Sequence, residues 1–217
     1  MNVRTSFMLA AWAGAIVVAV PALAAAQSTF QGVITFQMNV GQAGPSIMRY
    51  SVKGPNVRMD MAAPGQNIFT LFNSTTRIIQ IVIPMQQMYM ERAADPQAGA
   101  DSASRGTRKI VWTGRRETVA GYECEHALVP EDDGTNTDVC LAKGLGTFVQ
   151  MNGRGRGRGG PQGGGWEGYL GNDFPLKVQQ GGRTMMEATK IEKKTLDASV
   201  FTIPDGYRKM NMGMGGR

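Results

Sequence analysis

Both cysteines of the chain, Cys124 and Cys140, and its single histidine, His126, fall between Thr113 and Cys140. Tyr122 to Val129 and Asn136 to Leu141 have strand composition, and Pro130-Glu131-Asp132-Asp133-Gly134-Thr135 between them gathers turn formers, so the stretch predicts a β-hairpin. A hairpin centred on Asp132 sets Cys124 opposite Cys140, because directly opposed strand positions bring Cα atoms to about 4.5–5.5 Å, inside disulfide reach. A staple there closes a short loop, worth about 3 kcal/mol on the chain-entropy model. The spacing is far from the C-x-x-C of a redox motif.

A lasting disulfide needs an oxidising compartment. The N-terminus points to one. Arg4 precedes an apolar run from Phe7 to Val20, and Pro21 leads into Ala22-Leu23-Ala24-Ala25-Ala26-Gln27, the pattern of a secretory signal peptide over residues 1–26. The run is shorter than the ~18 to 20 apolar residues that a membrane span requires. Cleavage after Ala24 or Ala26 leaves roughly 190 residues and no transmembrane segment, so the expected location is the periplasm. No cysteine immediately follows the cleavage region, so no lipid anchor is expected. Loss of Arg4 lowers the formal net charge from +6 to +5. A basic surface favours anionic lipid or sugar, although much of this excess is local.

The rest of the chain reads as short strands. Phe30, Gly32, Ile34 and Phe36 alternate with polar or smaller neighbours, and Val57, Met59 and Met61 alternate with Arg58 and Asp60, the period of a strand with one buried face. Ile78 to Ile83 is apolar almost throughout, as in a strand covered on both faces. Further strands are expected at Ile47 to Lys53, Ile68 to Phe72, Lys109 to Arg116, Thr118 to Val129, Phe174 to Val178 and Arg183 to Lys193. Ala93 to Gly106 predicts a loose loop, residues 153–165 a flexible Gly/Arg-rich loop, and residues 210–217 a Met/Gly-rich tail. Residues 27–209 thus predict one mainly β (α+β) domain, a curved antiparallel sheet or half-barrel of about eight to eleven strands with one or two short helices. A sheet of this kind has room for a lipid-sized groove.

Five short patterns recur in one order: Phe30-x-Gly32-x-Ile34-x-Phe36; Tyr50-x-Val52-Lys53-Gly54 with Arg58-Met59; Pro84 with Met88-Tyr89; Thr113-Gly114 with Ala120-Gly121-Tyr122-x-Cys124; and Phe201-x-Ile203-Pro204-x-Gly206-Tyr207. In order and spacing they resemble the exported bacterial family called domain of unknown function 4412, over nearly the whole mature chain. The resemblance implies kinship with the outer-membrane lipoprotein carriers, whose fold is a curved antiparallel half-barrel closed by helices over an apolar cavity. It implies a lipid, a lipoprotein or another envelope component as partner.

Other motifs carry less. Arg154, Arg156 and Arg158 alternate with glycine as in RNA-binding segments, but an exported chain meets no RNA and no aromatic lies between them, so no nucleic-acid partner is expected. Met210, Met212 and Met214, with Met85, Met88 and Met90, offer thioethers suited to Cu(I), which makes a Met-rich copper-binding protein the alternative reading. Otherwise neither metal nor cofactor is expected. His126 shares a strand face with Cys124, whereas Glu123 and Glu125 face away, so the sequence predicts a surface or hairpin histidine without a catalytic partner. Asp132-Asp133-Gly134-x-Asn136-x-Asp138 resembles part of a calcium loop, but Lys143 stands where the twelfth ligand belongs, so a polar turn is expected. No nucleophile motif accompanies these residues, and the expectation is a protein without catalytic activity.

Overall fold

Alternation at period two, broken by Gly, Pro and Asn turns, carries most of the chain into strands. The computed structural model describes residues 30–39, 44–63, 66–94, 110–131, 134–146, 148–149 and 173–210. The expected signal peptide at 1–26, most of the Ala93 to Gly106 loop, the Gly/Arg-rich segment at 153–165 and the tail beyond Met210 lie outside them.

In chain order the strands are β1 (Gly32–Met38), β2 (Ser46–Lys53), β3 (Asn56–Ala63), β4 (Gln66–Asn73), β5 (Ile78–Ile83) and β6 (Met88–Ala93), followed by β7 (Val111–Val119), β8 (Tyr122–Pro130), β9 (Asn136–Ala142), β10 (Phe174–Gln180), β11 (Arg183–Lys193) and β12 (Arg208–Lys209). They form one twelve-stranded sheet in the order β12-β6-β5-β4-β3-β2-β1-β11-β10-β9-β8-β7. All pairings are antiparallel except the parallel pair of β12 and β6. The mainly β class stands, with twelve strands instead of eight to eleven. Helix among the described residues is confined to two 3-10 turns, Pro84–Gln86 and Ala198–Phe201.

The sheet is open, with β7 and β12 at its edges. Its main core nonetheless crosses several strands. Tyr50 on β2 meets Phe174 on β10 edge-on at 5.4 Å, although β1 and β11 lie between their strands. Neighbouring strands are about 4.8 Å apart, so the sheet bends around this contact. Phe36 stacks with Phe174 and Tyr50 with Phe148, Phe148 meets Phe174 edge-on, and these rings join Ile34, Met59 and Val139 in one cluster, which fills the inner face with side chains. Gly32 permits the β1–β11 approach, since a Cβ there would lie 2.0 Å from the Glu192 carbonyl oxygen.

A second, smaller cluster of Phe69, Leu71 and Val82 lies on the outer face. Tyr89 and two residues of the C-terminal segment, Ile203 and Tyr207, cover it. The cover expected on the second face of the Ile78 to Ile83 run is thus supplied by the chain's own C-terminal end. Backbone bonds from Arg208 N–H to Gln87 O (2.9 Å) and Met210 N–H to Tyr89 O (2.8 Å) hold that segment down. At the opposite edge, Arg115, Arg116 and a register shift between Trp112 and Arg116 mark β7 with the charges and irregularity that discourage edge-to-edge pairing.

Candidate functional site

The β8–β9 hairpin forms where the turn residues predict it, and the disulfide joins Cys124 to Cys140 with a Cα separation of 5.3 Å. Its register differs by one step from the centre at Asp132. Pro130 pairs with Asn136 and His126 with Cys140, so the centre is at position 133 and the two cysteines sit diagonally. The cause is the five-residue connection, closed by a bond from Glu131 N–H to Thr135 O (2.9 Å) with Gly134 at φ 81°. The preceding turn also lies later than expected. Ala120 (φ 49°) and Gly121 (φ 84°) make the two-residue link between β7 and β8, and that positive-φ pair suits a tight hairpin.

This register places His126, Cys140 and Lys177 in line across β8, β9 and β10, and Cys124 directly opposite Glu117 on β7. Side chains on one sheet face recur every second residue. Cys124, His126, Asp138 and Cys140 therefore share the outer face, with Val139 and Val178 on the inner one.

His126 is 1% exposed on the β8–β9 hairpin, so of the surface or hairpin histidine expected from sequence the hairpin placement holds and the surface one does not. Its Nε2 lies 3.0 Å from Glu117 Oε2 and its Nδ1 2.6 Å from Asp138 Oδ1. Arg115 Nη2 lies 2.7 Å from the same Nδ1 and pairs with Asp138 Oδ2. Lys177 Nζ donates to Glu117 Oε1 at 2.8 Å and lies 3.5 Å from Glu187. The chain of groups runs Lys177, Glu117, His126, Asp138, Arg115. Thr113 Oγ1 donates to the His126 carbonyl (2.9 Å), fixing β7 over the ring.

The charges hold one another in their ionised forms. The Lys177 ammonium keeps the Glu117 carboxyl below the usual carboxylate range, against a burial that pushes it up, and His126 adds to the lowering. Glu117 in turn raises Lys177 above its ordinary value, again against burial. An imidazolium donates to both carboxylates at once. A ring without the Nδ1 proton accepts from Arg115 instead. With both nitrogens engaged and both sulfurs bonded, the cluster has no nucleophile and base paired for covalent catalysis.

Within its own strand the acids nearest His126, Glu123 and Glu125, face away, so the strand offers it no acid. The partners come from neighbouring strands. Asp138 belongs to the turn motif read against calcium, and its place on the β9 face is the available signal.

The methionines divide differently from the expectation. Met48, Met59 and Met186 are core residues, whereas Met61 at the end of β3 is 52% exposed. Met210 continues past β12 beside β6, which carries Met88 and Met90, so Met210 lies at the same sheet edge as these two methionines. Met212 and Met214 lie outside the described residues.

A depression of about 440 Å³ opens on the outer face of β2, β3 and β4, away from the histidine. Ile47, Phe69, Pro84 and Tyr207 give it apolar walls, and Met61 and Ile68 border it through strand positions whose side chains turn to the inner face. Arg58 crosses its floor with the guanidinium carbon 3.8 Å above the Phe69 ring, donates to Asp60 through Nε and Nη2, and donates to the Val200 carbonyl at 3.1 Å. Arg49 is exposed at its side. Among the described residues no helix is long and apolar enough to cross a membrane.

A family model described as Domain of unknown function (DUF4412) matches residues 30–207. A search of curated proteins finds no match. Among solved structures, the chain is similar to an uncharacterized conserved protein from Thermus thermophilus, with TM-score 0.53 and 8% identity over 85% of this chain and 91% of that one. The structure of PNGF-II gives TM-score 0.49 and 15% identity over 83% of this chain and 30% of that one. At 8% identity, the Thermus likeness shows a shared fold alone.

Proposed function

The chain belongs to the family described as Domain of unknown function (DUF4412), and we propose that it is a non-enzymatic periplasmic protein binding an amphiphile or lipidated partner on its outer face. The observation that carries this reading is the depression between Ile47, Phe69, Pro84 and Tyr207, with apolar walls and exposed Arg49 beside them. Its volume falls in the range of about 300–1,000 Å³ typical of ligand pockets. Apolar walls suit an acyl chain, and Arg49 suits an anionic head. The filled inner face argues for this location over a groove within the bend. Export is supported by the pattern of residues 1–26, and the disulfide suits an oxidising compartment.

The test is a titration of delipidated protein with a fluorescent fatty acid, comparing wild type with Ile47→Asp. That side chain is 45% exposed, so the change leaves the core intact. Saturable binding weakened about tenfold or more in the variant is expected, from about 1.4 kcal/mol of lost apolar contact. No uptake, or uptake indifferent to the change, removes the reading.

The meeting of Met210 with the strand of Met88 and Met90 favours a second reading, a periplasmic copper-binding protein using thioethers from Met210, Met212 and Met214 with those of β6. Titration with Cu(I) that finds no stoichiometric binding, or binding unchanged when Met210, Met212 and Met214 are replaced by alanine, ends it.

A further inference from the structure

From the histidine cluster we infer that Cys124, Cys140, His126 and Glu117 form a latent zinc site that opens when the disulfide is reduced. One ligand atom each from Glu117, His126 and Cys140 lies within 4.8 Å of the others, and Cys124 is bonded to Cys140 and faces Glu117 across β7 and β8. Two thiolates, an imidazole and a carboxylate are a tetrahedral set of the kind Zn²⁺ takes, at about 2.3 Å to sulfur and 2.0–2.2 Å to nitrogen and oxygen. Four donors already gathered on one face need only small side-chain movements to close on an ion.

The orientation of the ring points the same way. Metal-bound histidines donate their other ring N–H to a carboxylate, which fixes the tautomer and leaves the free nitrogen for the ion. His126 Nδ1 lies 2.6 Å from Asp138 Oδ1, so Nε2, on the Glu117 side, is the nitrogen left for zinc. Arg115 in turn bonds Asp138 and holds that orienting carboxylate in place.

In the oxidised protein the sulfurs are tied to each other and offer no thiolate. A dithiol reductant passes two electrons and two protons to the Cys124–Cys140 bond and is itself converted to its disulfide. Zn²⁺ then binds as the two thiol protons leave to solvent. Reoxidation by a disulfide oxidant removes two electrons and expels the ion, so the disulfide and bound zinc are mutually exclusive states of one site.

The chain is kept reduced with a phosphine and titrated with Zn²⁺ against a chromophoric chelator, in parallel with the oxidised chain. Co²⁺ serves as a spectroscopic stand-in. One equivalent bound by the reduced form only is expected, with thiolate-to-cobalt charge transfer and tetrahedral d–d bands. His126→Ala and Cys124→Ser are expected to abolish those bands, and Asp138→Asn to weaken binding by about 10–100-fold while keeping them. Equal binding by oxidised and reduced protein overturns the site. So does binding by the reduced form that survives both His126→Ala and Cys124→Ser, or a reduced form whose strand circular dichroism is lost with and without zinc.

Discussion

His126 bonds two carboxylates that keep their own cations, Lys177 on Glu117 and Arg115 on Asp138, so its removal loses two buried hydrogen bonds and leaves a cavity between them. The expected cost of His126→Ala is about 2 kcal/mol, below the ~3–5 kcal/mol of a fully buried pair because Glu117 and Asp138 keep some solvent contact. A lower urea midpoint with unchanged slope checks it. Glu117 carries the acid side of the pH dependence. Its folded carboxyl titrates below the ordinary value of 4.5, so its contribution is full above that value and disappears as the pH falls through the lowered one. Thermal melts below pH 4.5 should therefore fall less steeply for Glu117→Gln than for wild type. Tyr50 acts at the other end, because burial pushes its phenol well above the usual 10.0. Its stabilisation is present below pH 10.0 and is lost as the pH rises towards the raised value, a loss that Tyr50→Phe should remove. At this scale the sequence disclosed the cysteine pair, since two cysteines on either side of a hairpin turn come within disulfide reach. It hid the histidine's surroundings, because Glu117 and Asp138 become its neighbours only through strand register.

At the scale of elements, the stapled hairpin and the C-terminal segment carry separate predictions. Reduction of the Cys124–Cys140 bond in metal-free buffer should cost about 3 kcal/mol, read from denaturant midpoints with and without phosphine. Ile203 and Tyr207 lie over Phe69, Leu71 and Val82, so Ile203→Asp should expose that outer cluster and lower stability by about 2–3 kcal/mol. Faster amide exchange in β5 and β6 would accompany it, whereas exchange in β8 and β9 should be unchanged. The strands themselves were legible from alternation and turn residues, and so was the need for a cover on the Ile78 to Ile83 run. The register at β8–β9 was not. A turn cluster of six residues fits two centres equally well on composition, and the choice was made by the positive-φ Gly134 and the Glu131–Thr135 bond, which composition does not encode.

For the whole molecule, twelve strands in nearly sequential order make an open sheet whose two faces do different work. The inner face is packed with Phe36, Tyr50, Phe148 and Phe174. The outer face carries the histidine cluster on β7–β10 and the depression on β2–β4. The all-β class followed from the alternating pattern. The outer depression did not, since Ile47, Met61, Pro84 and Tyr207 come from four separate stretches whose meeting depends on how the C-terminal end folds back. The central claim is that an amphiphile occupies this outer depression, and a nitroxide-labelled fatty acid added to isotope-labelled protein tests it most directly. Paramagnetic broadening of the amides of Ile47, Met61, Phe69 and Tyr207 is expected, while those of Phe36 and Phe174 stay sharp. Broadening centred on Phe36, Tyr50 and Phe174, or none at saturating ligand, would contradict it.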